Sequence, residues 1–120
     1  LDTVFIVDVP MTGETKEDYM KTVIYKIWSP HTSDVYIGHT TKSAEERMRG
    51  HLTEFRDTGR AKRCSSYKVI AHGDAQIEVL EEYPCKNVHM AKAREADYIR
   101  STPHCINENI PGGKRKREEM

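Results

Sequence analysis

Long apolar runs are missing from this 120-residue chain. No stretch approaches the roughly 20 apolar residues that a membrane-spanning helix requires, and no charged-then-apolar leader is visible, so a soluble protein is expected. The chain opens on Leu1 rather than methionine, which leaves room for residues upstream. Cysteine is scarce: Cys64, Cys85 and Cys105 form an odd set with no CxxC pair. That argues against a disulfide framework and for a reducing, intracellular setting. Cys64, Cys85, His89 and Cys105 could be gathered around zinc, but their spacing matches no short ligand signature. Buried or incidental thiols are the plainer reading. An excess of one charge is missing too, since 19 Lys and Arg balance 19 Asp and Glu.

The distribution of charge says more than its sum. Residues 2–21 carry five acids and two bases, whereas residues 42–68 carry eight bases against four acids. Arg49, Arg60, Lys62 and Arg63 lie in this basic stretch and are candidate contacts to a nucleic-acid backbone. A local positive cluster attracts a polyanion even when the whole chain is neutral. A solvated helix face would account for the same charges. Lys114 to Arg117 form a second basic run, which could touch phosphates or act as a nuclear signal, or could simply be a solvated end.

One compact domain fits this length. Residues 1–21 read as an N-terminal extension, with MTGETKEDYM as turn and linker. Residues 22–111 read as the folded domain and 112–120 as a basic, disordered tail. Strands are expected over 23–28 and 35–38, joined by the Pro/Ser/Asp-rich SPHTSD. Ser43 and Glu46 make a capping box for a helix over 44–57, with Ala44, Met48, Leu52 and Phe55 as its core stripe. A short helix over 65–71 and a strand over 76–80 follow. Asn87 caps a last helix to about residue 100, which Pro103 ends. The order β-β-α-α-β-α describes a small α/β (α+β) domain with a mostly antiparallel sheet.

The last helix holds an anomaly. At about 100° per residue, Val88, Ala91, Tyr98 and Ile99 share a face, and Glu95 falls inside it. A buried carboxylate is costly unless paired or metal-bound. Glu95 could sit at the stripe's edge, pair with Arg94 or Arg47, or hold a metal. On the first long helix, Arg47 and His51 stand four residues apart and therefore on one face. Tyr25 and Tyr36, from adjacent strands, could project towards them. Two phenols, a guanidinium, an imidazole and a carboxylate are the parts for phosphodiester hydrolysis: a metal-holding group, a phosphate binder and a base for water.

These residues resemble the GIY-YIG endonuclease family. Val23-Ile24-Tyr25 stands where that family has Gly-Ile-Tyr, and Tyr36-Ile37-Gly38 is an intact YIG. Arg47 and His51 in ERMRGH match its helical Arg-x-x-x-His, Glu95 in AREADYI its glutamate, and Asn107 in CINENIP its late asparagine. Asn109 is the competing assignment, two residues on and on the same strand face. The resemblance covers about residues 22–111. It implies a three-stranded antiparallel sheet flanked by helices, and a metal-dependent endonuclease acting on DNA. Glu95 would be the single protein ligand of Mg²⁺ or Mn²⁺, with Asn107 supporting the metal or its waters. Arg47 would stabilise the scissile phosphate, Tyr25 would act as base with help from His51, and Tyr36 would orient water or phosphate. A second copy would join transiently if both strands are cut, and no membrane is involved. Val23 departs from the pattern at the start of the first strand. A binding module that has kept the fold without turnover is the alternative.

Overall fold

Alternating side chains in VIYKIWS suit a strand covered on both faces, and β1 (Val23–Ser29) is the middle strand of the sheet. The computed structural model describes residues 15–58 and 65–107. Strands β2 (Thr32–Thr40) and β3 (Gln76–Glu82) flank β1, both antiparallel to it, in the order β2-β1-β3. In the β1–β2 register Tyr25 opposes Gly38 and Ile27 opposes Tyr36, while Ile24 opposes His39 and Lys26 opposes Ile37. Side chains alternate across a strand, so Tyr25, Ile27 and Tyr36 share one face and Ile24, Ile37 and His39 the other.

Each face buries its own core. Ile24 and Ile37 pack with Ala96 and Ile99 of α4 (Val88–Ser101). Tyr25 and Ile27 pack with Tyr67, Val69 and Ile70 of α3 (Tyr67–Ile70), joined by Met48 and Phe55 of α2 (Ala44–Thr58). A fully buried aliphatic side chain contributes roughly 1.5–3 kcal/mol, so the central isoleucines hold the layers together. The result is a three-stranded antiparallel sheet between helical layers. Among the described residues no helix is long and apolar enough to cross a membrane.

Local chemistry departs from the sequence expectations at three places. SPHTSD is not all connection: Ser29 pairs with Thr32, so the turn itself is Pro30-His31. Ser29 Oγ accepts from the His31 amide at 3.1 Å and donates to Asp74 Oδ1 at 2.6 Å, which ties the polar end of the hairpin to the loop before β3. Within the expected linker, α1 (Lys16–Tyr19) forms a single turn. Thr15 Oγ1 accepts from Asp18 N, and Thr15 N donates to Asp18 Oδ2, so aspartate closes the capping box in place of the usual glutamate. The stripe of α2 is rotated from the expected one. Leu52 is 42% exposed, and His51, only 1% exposed, takes the inward place beside Met48 and Phe55. The capping box of α2, Ser43 with Glu46, forms as its spacing requires. Val23 pairs with Thr40 and Glu82, so its β-branch is accommodated at the start of the strand, and the β1–β3 register shifts just after it, between Ile24 and Tyr25.

The outer edge of β2 is covered by residues 104–107. Val35 N donates to His104 O and Ile106 N donates to Val35 O, around a parallel bridge between Val35 and Cys105. His104 makes the bend after α4 with φ 61°, a left-handed conformation uncommon outside glycine.

Candidate active site

The hairpin register and the helical spacing bring four of the expected residues together. Tyr25 Oη lies 2.8 Å from His51 Nε2, and Arg47 Nε donates to the same phenol oxygen at 3.3 Å. The Tyr36 ring stands edge-on to the His51 ring, with centroids 5.8 Å apart. Gly38 makes this possible. A Cβ on Gly38 would lie 2.5 Å from Tyr25 Oη and 2.6 Å from Cζ, so only glycine lets the phenol lie across β2.

Arginine only donates, so the Tyr25 oxygen accepts from Arg47, and the imidazole tautomer sets whether the phenol gives its hydrogen to His51 Nε2 or accepts one from it. The other ring nitrogen, Nδ1, faces Ser66 Oγ at 3.5 Å. Ser66 is fully buried at the start of α3 and was not anticipated from sequence, where a serine before a short helix reads as a cap. Burial, and secondarily the Arg47 charge, push the His51 pKa down from 6.5 to about 4. For Arg47 burial works against the charge, but neighbouring Tyr25, with Tyr36 and Glu54, outweighs it and holds the guanidinium above its ordinary value.

Glu95 lies on the other face of the sheet. It is 9% exposed, on the buried stripe of α4 with Ala91, Ala96 and Ile99, as the helical periodicity requires. Its partner is neither Arg94 nor Arg47. Arg94 Nε donates to Glu81 Oε1 at 2.8 Å, an acceptor shared with Tyr98 Oη at 2.9 Å. His39 Nδ1 instead lies 2.6 Å from Glu95 Oε1. At the end of β2 a cleft of about 370 Å³ is lined by Tyr19, His39, Thr40, Thr41, Lys42, Glu46, Arg47 and Gly50.

Among the described residues no group of three His, Cys, Asp or Glu side chains could cage a metal. A hard divalent cation that keeps most of its waters needs only one or two carboxylates plus phosphate oxygens. Glu95 fits that requirement, since Oε1 is taken by His39 and Oε2 has no hydrogen-bond partner among the described residues. Asn107 is engaged elsewhere: its Oδ1 accepts from Ile37 N at 2.9 Å and its Nδ2 donates to Ile37 O at 2.7 Å. Its side-chain amide thus replaces a strand's backbone along the β2 edge, rather than reaching towards Glu95. Arg49 is exposed on α2. Arg60, Lys62, Arg63, Asn109, Cys64 and the basic tail lie outside the described residues. Of the remaining thiols, Cys85 is buried against Thr22 Oγ1, and Cys105 donates to Asn107 Oδ1.

A family model described as the GIY-YIG catalytic domain matches residues 21–107. No curated protein and no solved structure matches the chain.

Proposed function

The chain belongs to the GIY-YIG family of nuclease domains, and from that premise we propose that it is a divalent-metal-dependent DNA endonuclease. The observation that carries this reading is the buried Tyr25–His51 hydrogen bond with Arg47 on the same phenol oxygen. A phenol of ordinary pKa, about 10, is a poor base at neutral pH. Here the neutral Nε2 of His51 is placed to take the phenolic proton, while the Arg47 guanidinium steadies the phenolate left behind. Tyr25 then takes a proton from the water that attacks phosphorus, while the bond from phosphorus to the 3′ oxygen breaks and that oxygen takes its proton from solvent water. Arg47 also lines the cleft, where the rest of its planar fork can meet the charge that grows on the scissile phosphate. Tyr36 orients the water or the phosphate. Glu95 would hold Mg²⁺ or Mn²⁺, and the ion would neutralise phosphate charge as a Lewis acid. Asn107 acts through the backbone, holding Ile37 and hence Tyr36 and Gly38 in register.

Supercoiled plasmid incubated with the protein tests this. Nicking with Mg²⁺ or Mn²⁺ that EDTA abolishes is the expected result. Binding to the plasmid without nicking in either metal would make the chain a nucleic-acid-binding module and overturn the enzymatic reading.

A further inference from the structure

We propose that His39 is the positioning residue of Glu95, fixing one carboxylate oxygen so that the other faces the metal; this rests on the nuclease reading above. β2 places the His39 side chain on the face that α4 covers, because His39 opposes Ile24 and alternates with Gly38. α4 places Glu95 on its buried stripe opposite. Nδ1 and Oε1 are 2.6 Å apart, and the two side chains are only 19% and 11% exposed. A carboxylate oxygen accepts, so the imidazole N–H donates. A free glutamate can rotate either oxygen into a site. One held through Oε1 in a half-closed space presents Oε2 alone, in one orientation. His39 also lines the cleft that Arg47 lines, so a single imidazole touches both the cleft and the carboxylate buried behind it. Consecutive residues of β2 therefore serve both halves of the site: Gly38 seats Tyr25 on one face and His39 holds Glu95 on the other.

His39 is better suited to hold the ligand than to be one. Hard divalent cations prefer oxygen donors, and carboxylate ligands are commonly oriented by a hydrogen bond from a neighbouring group. Removing such a partner typically weakens metal binding by about 10–100-fold.

The test is Mn²⁺ binding to the full chain, followed by the loss of the free-ion EPR signal, with Mg²⁺ affinity measured by competition. Four proteins are compared: the parent, Glu95→Gln, His39→Ala and His39→Asn. Glu95→Gln should lose binding. His39→Ala should weaken Mn²⁺ and Mg²⁺ alike, by about 10–100-fold. His39→Asn, whose side-chain N–H falls near the Nδ1 position, should recover most of the affinity. Parent-like binding by His39→Ala, with binding lost in Glu95→Gln, would overturn the role of His39 and leave the nuclease reading intact. Parent-like binding by Glu95→Gln would overturn both. A loss confined to Mn²⁺ would make His39 a ligand and contradict the positioning role. Should His39→Ala fail to fold, His39→Asn decides alone: a folded variant that binds no better than Glu95→Gln overturns the proposal.

Discussion

Gly38 sets how closely Tyr25 can lie against β2. In Gly38→Ala the new methyl would meet the phenol at 2.5 Å, and Tyr25, 1% exposed, has nowhere to retreat without leaving His51. Overpacking of this kind costs about 1–3 kcal/mol. The variant should unfold at lower urea, lose cleavage and still shift DNA in a gel; unchanged cleavage would show that the close approach is dispensable. His51 makes a second prediction at this scale. Its pKa, held down from 6.5 to about 4 first by burial and then by Arg47, means the unfolded chain binds the extra proton over a range where the folded protein refuses it. The contribution is fully present above 6.5 and is lost as pH falls through the window down to about 4. At about 1.4 kcal/mol per unit, that window corresponds to about 3 kcal/mol. Urea melts at pH 7 and 4.5 should show a larger drop for the parent than for His51→Gln, and equal drops would contradict it. The same depression keeps His51 unprotonated throughout the neutral range, so cleavage should show no acid limb centred on 6.5.

At the level of elements, β2 is held between β1 and a strap. The strap ends in Asn107, whose amide satisfies both backbone groups of Ile37. Asn107→Ala leaves a partly buried N–H and C=O without those partners, at a cost of about 1–3 kcal/mol. Its melting temperature should therefore fall in EDTA, with Mn²⁺ affinity largely kept. An unchanged EDTA melt together with weakened metal binding would return Asn107 to the metal-supporting role implied by family resemblance. What the sequence made legible follows the same logic. Arg47 and His51 could be read as neighbours because four residues along a helix fixes them on one face whatever the fold does. Tyr25 and Tyr36 could be read as facing them because hairpin alternation is equally local. The inward position of Glu95 came from helical period alone. Its partner left no such trace: His39 is 56 residues away and carries no periodic signal after a glycine in a strand. Ser66 was hidden for the same reason. The strand character of residues 32–34 was hidden by polar composition, which the end of a sheet tolerates because one side faces water.

For the whole molecule, the sheet divides the chemistry, with the Tyr25–His51–Arg47 group on one face and Glu95 on the other; the cleft at the end of β2 is lined by Arg47 of the first group and by His39, the partner of Glu95. A polyanion approaching that cleft meets Lys42 and Arg47 in its wall, and Arg60, Lys62 and Arg63 follow α2 in the chain. If these basic residues touch phosphates, replacing the three with Ser should weaken binding to all DNA sequences alike. The salt dependence should become shallower by up to about 0.9 in log–log slope for each phosphate no longer neutralised. Weaker binding to one sequence alone would instead mean that these residues read bases. The central claim is that this fold cuts DNA through a metal held by Glu95, and Glu95→Gln addresses it with little change in shape. The carboxamide oxygen can still accept from His39, so the variant should fold and bind DNA. The decisive measurement is the rate of plasmid nicking by the parent and by Glu95→Gln, side by side, in Mn²⁺ and in EDTA. The parent should nick only in Mn²⁺ and Glu95→Gln in neither; nicking by the parent in EDTA, or by Glu95→Gln at the parent's rate, would contradict the account.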